Sequence, residues 1–112
     1  MHLDVTAPML LSQLGYPKSE AALSQMQDII NNTKGFDKFA KHIISLDEHL
    51  KHMKAYVAMS NSLDYLKIKC DISDAPLILQ EFHDTVLNWS QKYNVEVQKI
   101  KTKEVYYIIG HH

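Results

Sequence analysis

The sequence predicts an α+β fold: an N-terminal helical hairpin, built from a short helix plus a long helix, followed by a β-α-β-β unit with a small three-stranded, mainly antiparallel sheet. Three observations lead there. Apolar residues recur at helical spacing through the first half, the period changes to alternation at "LKIKC", and a second helical stripe separates that run from two more strand-like runs. With 112 residues, of which 46% are apolar and 22% charged, the chain has a globular balance. It reads as one domain spanning 1–112, since two independent cores are hard to build at this length.

The elements follow in order. In "TAPMLLSQLGYP", Thr6 is placed to cap, Pro8 suits a first turn, and Gly15 with Pro17 gives a stop, so a short helix is expected at about residues 7–14. In "PKSEAALSQMQDIINNTKG", Ala22, Leu23, Met26, Ile29, Ile30 and Thr33 keep helical spacing, and the Asn-Asn…Gly tail ends the segment. Phe36, Phe39, Ile43, Leu46, Leu50, Met53 and Val57 then advance by 3, 4, 3, 4, 3 and 4 residues. That spacing is the seam of helices packed side by side, and it predicts one long helix over 36–59 closed by "SNS".

Leu66, Ile68 and Cys70 alternate with Tyr65, Lys67 and Lys69, the pattern of a half-buried strand. A helix follows, with Ser73 or Asp74 as N-cap, Pro76 in its first turn and a stripe of Leu79, Phe82, Val86, Trp89 and Tyr93. "VEVQKIKTKEVYYIIG" reads as two strands around a turn near Lys101 to Lys103. Its second strand is apolar on both faces: Val105, Tyr107 and Ile109 on one, Tyr106 and Ile108 on the other. Such a strand belongs at the centre of a sheet, and placing it between the other two makes every pairing antiparallel.

Composition excludes several function classes. All 12 basic residues are lysines and the net charge is −1. Without arginine the chain lacks the bidentate fork that reads guanine and clamps phosphate, which argues against sequence-specific nucleic-acid binding. No run approaches the ~18 apolar residues of a membrane span. The N-terminal stretch carries Asp4 and no basic leader, so it reads as mature sequence. The lone Cys70 suits a reducing, cytoplasmic setting.

Histidines crowd the predicted long helix. His42, His49 and Tyr56 fall on one flank beside the seam, with His52 further out. His49 and His52 are an i, i+3 pair and Glu48 and His52 an i, i+4 pair, so His49, His52 and Glu48 form the nucleus of an alternative metal or ligand site. Zinc needs three or four donors, and His83 and Asp84 are the available extras. The spacing matches neither His-Glu-x-x-His nor Glu-x-x-His. A solvated flank, or an interface sensitive to pH, accounts for the same residues. His111 and His112 read as a tag remnant or a tail.

Other chemistry is sparse. Cys70 falls on the apolar face of its strand, where a buried thiol is structural. Glu81, Phe82, His83 and Asp84 are consecutive on a helix, point in different directions and read as solvated surface. Glycines 15, 35 and 110 cannot make a phosphate loop. Lys67, Lys69, Lys99, Lys101 and Lys103, with Tyr65 and Tyr106, sketch a platform for single-stranded nucleic acid, interrupted by Glu96 and Glu104. Lysines on edge strands also discourage edge pairing.

The expectation is a small non-enzymatic interaction and dimerisation module with no cofactor. Part of a long helix overruns a three-stranded sheet, so a second copy or another protein is expected to cover it. The interface residues are Phe36, Phe39, Ile43, Leu46, Leu50 and Met53, which equally suit an intrachain core. The alternatives are a regulatory domain binding a metal or ligand at the histidine flank, and a nucleic-acid accessory protein using the lysine hairpin.

Overall fold

The computed structural model describes residues 5–71 and 74–112. Helix α1 (Ala7–Leu14) is capped by Thr6, whose hydroxyl accepts from the Met9 N–H, and ends at Gly15 in the left-handed region (φ 82°). Helix α2 (Glu20–Asn32) starts at Ser19, whose side chain caps Ala22, and buries Met26 and Ile29. Helix α3 (Phe36–Leu50) carries the regular seam and ends in a 3-10 turn, Lys51–Met53.

Here the structure departs from the sequence reading. The helix expected to run over 36–59 stops at Leu50, Lys54 turns the chain at φ 58°, and Ala55–Met59 forms strand β1. The sheet therefore has four strands, not three. The physical reason lies in "AYVAM", residues 55–59, which contains no charge and, Tyr56 apart, no polar side chain. A surface helix needs a polar face that these five residues cannot supply. As a strand, Ala55, Val57 and Met59 enter the core and Tyr56 lies on the opposite side.

Strand β2 (Leu66–Cys70), helix α4 (Pro76–Tyr93), strand β3 (Val95–Lys99) and strand β4 (Val105–His111) complete the chain. The order is β1-β2-β4-β3, antiparallel throughout, with the last strand inside the sheet as its two apolar faces require. Helix α4 follows Ala75 without a side-chain cap, so Asp74 does not fill that role, and Ser73 lies outside the described residues. It ends at Asn94, another left-handed residue (φ 56°). Its predicted stripe holds: Phe82, Val86 and Trp89 are buried, and Leu79 and Tyr93 pack against them.

All four helices join one core with Ala55, Val57, Met59, Leu66, Ile68, Cys70, Val95, Tyr106 and Ile108 from a single face of the sheet. Trp89 crosses from α4 to donate its indole N–H to the His42 carbonyl at 3.1 Å. Beyond Ile108, where β2 no longer reaches, the junction of α2 and α3 borders β4 through a Lys34–Gly110 bridge, and the His111 N–H donates to the Lys34 carbonyl at 2.7 Å. His111 also stacks on Phe39, and the His112 N–H bonds to Asn94. These two histidines are part of the fold and not a loose tail.

Candidate functional site

The six seam residues lie in the core of their own chain. Phe36, Phe39, Ile43, Leu46, Leu50 and Met53 are each no more than 5% exposed. The overrun that called for a partner does not arise, because the segment beyond Met53 folds back as a fourth strand and the seam faces the sheet. A partner reaching these side chains would have to open the fold.

The histidine flank is likewise divided. Tyr56 leaves it for the far side of the sheet. His42 stacks on Tyr93 with ring centroids 3.7 Å apart, and burial, with Lys41 and Lys92 nearby, pushes its pKa down. His49 and His52 sit edge to face at the end of α3, with centroids 5.1 Å apart. The side chain facing His52 from α4 is Glu81, at 3.4 Å, instead of the sequence-expected His83 or Asp84. Asp84 bonds to Gln80. No group of three His, Cys, Asp or Glu side chains is arranged to hold a metal among the described residues, so the structure gives His49, His52 and Glu48 no completed donor set.

His83 is not solvated surface as the sequence suggested. Its Nδ1 is 2.6 Å from the Tyr106 hydroxyl, and its Nε2 is 2.5 Å from the buried Glu104 Oε2. A carboxylate, an imidazole and a hydroxyl in series is the order of a proton relay. The hydroxyl here belongs to Tyr106, which is 4% exposed, and burial, then Glu104 and Asp84, push its pKa above the usual tyrosine value. That opposes a nucleophilic role. The cluster ties α4 to β4 and to the hairpin before it. Sequence reading missed it because the partners lie 21 and 23 residues apart, on different elements. Cys70 is buried, with its thiol toward the Met53 carbonyl.

The remaining concentration of functional groups is the outer face of the sheet. Register sets Tyr56 beside Lys69 and Val105, and Ala58 beside Lys67, Tyr107 and Gln98. None of these belongs to the core cluster formed with the helices. Ala58 and Val105 are buried nonetheless, flanked in the register by tyrosine rings and lysine stems. Tyr65 joins from the start of β2, its ring 6.3 Å from that of Tyr107. The Ser62 hydroxyl is 3.3 Å from the Tyr107 hydroxyl. Hydrogen bonds from Ser62 and Ser60, aided by Lys67 and Lys103, lower the Tyr107 pKa.

This arrangement corrects the lysine platform of the sequence in two ways. Tyr106 points into the core, and Tyr107 takes its place outside. Glu104, counted as an interruption, is turned onto His83, which leaves Glu96 on the register of this face and Asp71 at its end. Asp71 accepts from Tyr56 at 3.3 Å and pairs with Lys69 at 3.8 Å. Lys99 is held by the Ile100 and Lys103 carbonyls, closing the hairpin.

The two borders of the sheet differ. On β1, the outward Val57 N–H donates to Asp47 Oδ1 at 2.9 Å and the Met59 N–H to the Tyr16 hydroxyl at 3.0 Å. That border is closed by the helical layer. The β3 border is short, with a register shift at Glu96/Val97. Among the described residues no helix is long and apolar enough to cross a membrane. Compared with protein families, curated proteins and solved structures, the chain finds no match.

Proposed function

We propose that the protein is a small non-enzymatic binding module whose working surface is the outer face of its sheet. The observation that carries this reading is the one-sidedness of the fold: every helix packs on one face, and the other holds Tyr56, Tyr65, Tyr107, Lys67 and Lys69 outside the core. Antiparallel sheets tolerate one wet face, but tyrosines grouped with lysines are the side chains that binding surfaces favour. The non-enzymatic part is supported by the way reactive groups are committed internally: His83 to Tyr106 and Glu104, Cys70 to the core. A single buried cysteine suits a cytoplasmic setting.

The test is amide shift mapping on labelled protein, first on dilution and then with an acidic peptide and a single-stranded oligonucleotide. Binding by any of them is expected to move Tyr56, Lys67, Lys69 and Tyr107 and leave α1 still. Shifts on dilution would make a second copy the occupant of this face. Shifts confined to the helical side would refute the reading.

A further inference from the structure

Resting on the sheet-face reading, we infer that the ligand of this face is single-stranded nucleic acid, bound without sequence preference through stacking on Tyr107 and Tyr65 and phosphate contacts from Lys67, Lys69 and Lys103. Charge on this chain is unevenly placed. The chain is net −1, and residues 63–112 hold six lysines against seven acids, so overall charge opposes a polyanion. The fold separates the two signs in part. Glu81 and Asp84 sit on α4 and Glu104 is drawn to the core side by His83, while Glu96 on β3 and Asp71, 3.8 Å from Lys69, stay at the two ends of the face. Lys67 and Lys69 alternate outward on β2, and the Lys103 charge acts on Tyr107 from the hairpin.

The chemistry of a single strand suits these groups. Unpaired bases stack on aromatic side chains without regard to identity, while lysines track the backbone as point charges. Arginine is not needed for that task, since no base edge is read. The Tyr65 and Tyr107 rings are 6.3 Å apart, tilted by 47° and partly exposed, so a base added to the cluster covers apolar ring surface now facing water. A duplex presents phosphates but no free base faces, so it engages the lysines alone.

The experiment is fluorescence anisotropy of the full chain with a labelled oligothymidylate of about ten residues, a length within the usual range for one sheet-based site. Single-strand binding is expected to exceed duplex binding, and to weaken with salt at a log–log slope of about −2 for three phosphates neutralised. Tyr107→Ala should weaken binding about tenfold, and Tyr107→Phe far less. Lys67→Gln with Lys69→Gln, a surface pair independent of any folding defect at Tyr107, should flatten the slope by about 1.4. Tyr106→Phe, inside the core, should leave affinity unchanged. Equal affinity for duplex, a flat salt response, or indifference to both Tyr107→Ala and the lysine pair would overturn the proposal. Failure of the oligonucleotide to bind while an acidic peptide shifts the same face would overturn it too, and leave the sheet-face reading intact.

Discussion

Asp47 shows how much one side chain settles at the residue scale. It is 2% exposed, its Oδ1 receives the Val57 N–H, and its Oδ2 lies 3.8 Å from the ammonium of Lys51. Lys51 is 60% exposed, so the ion pair itself counts for little and the backbone contact is what matters. Asp47→Ala leaves a buried donor without an acceptor and is expected to cost about 1–3 kcal/mol. Asp47→Asn keeps an acceptor and should lose less; urea unfolding followed by Trp89 fluorescence distinguishes them. His42 makes a second prediction. Its folded pKa lies below the unfolded value, so the unfolded chain binds the extra proton and stability rises with pH. The loss begins as pH falls through the unfolded value near 6.5 and is complete below the folded one. The groups around it are Lys41 on its own helix and Lys92 and Tyr93 on α4. In His42→Asn, which keeps the carbonyl used by Trp89, the slope of stability between pH 7 and 5 should shrink relative to wild type.

At the scale of elements, the turn at Lys54 decides the architecture. A non-glycine residue at φ 58° costs about 1–2 kcal/mol, tolerated because the turn delivers β1 to the sheet. Lys54→Gly removes that strain but adds freedom to the unfolded chain, so a gain of up to about 1 kcal/mol is expected. Lys54→Val, branched at Cβ, should lower the unfolding midpoint instead. The same turn explains which elements were legible in the sequence. Helix α1 announced itself by its cap and stop, α2 by its stripe and stop, and α4 by Pro76 and its stripe, and the central place of β4 followed from its two apolar faces. Strand β1 did not, because Met53 and Val57 satisfy the helical seam and the strand alternation alike. The telling signal was the uncharged run after Lys54. The outer face was half legible: alternation assigned Lys67 and Lys69, but choosing Tyr107 over Tyr106 needed the register of β4 against β2.

For the whole molecule, the contact between Gly110 and Lys34 joins the two halves of the chain. A Cβ at Gly110 would lie 2.9 Å from the Lys34 carbonyl oxygen and 3.1 Å from its nitrogen, both backbone atoms that cannot move aside cheaply. Gly110→Ala is expected to cost about 1–3 kcal/mol and to raise hydrogen exchange at His111 more than in β2. Exchange unchanged at His111 would mean that the junction of α2 and α3 holds without this bridge. The borders of the sheet have an effect on the same scale. One is sealed by Asp47 and Tyr16; the other, along β3, is bulged and only five residues long. Among the described residues the β3 border is the open one, and a sheet with one open border has a valence of one along the hydrogen-bond direction. Two copies meeting there would turn their sealed borders outward and leave no free end, so elongation into a fibre terminates at its first step.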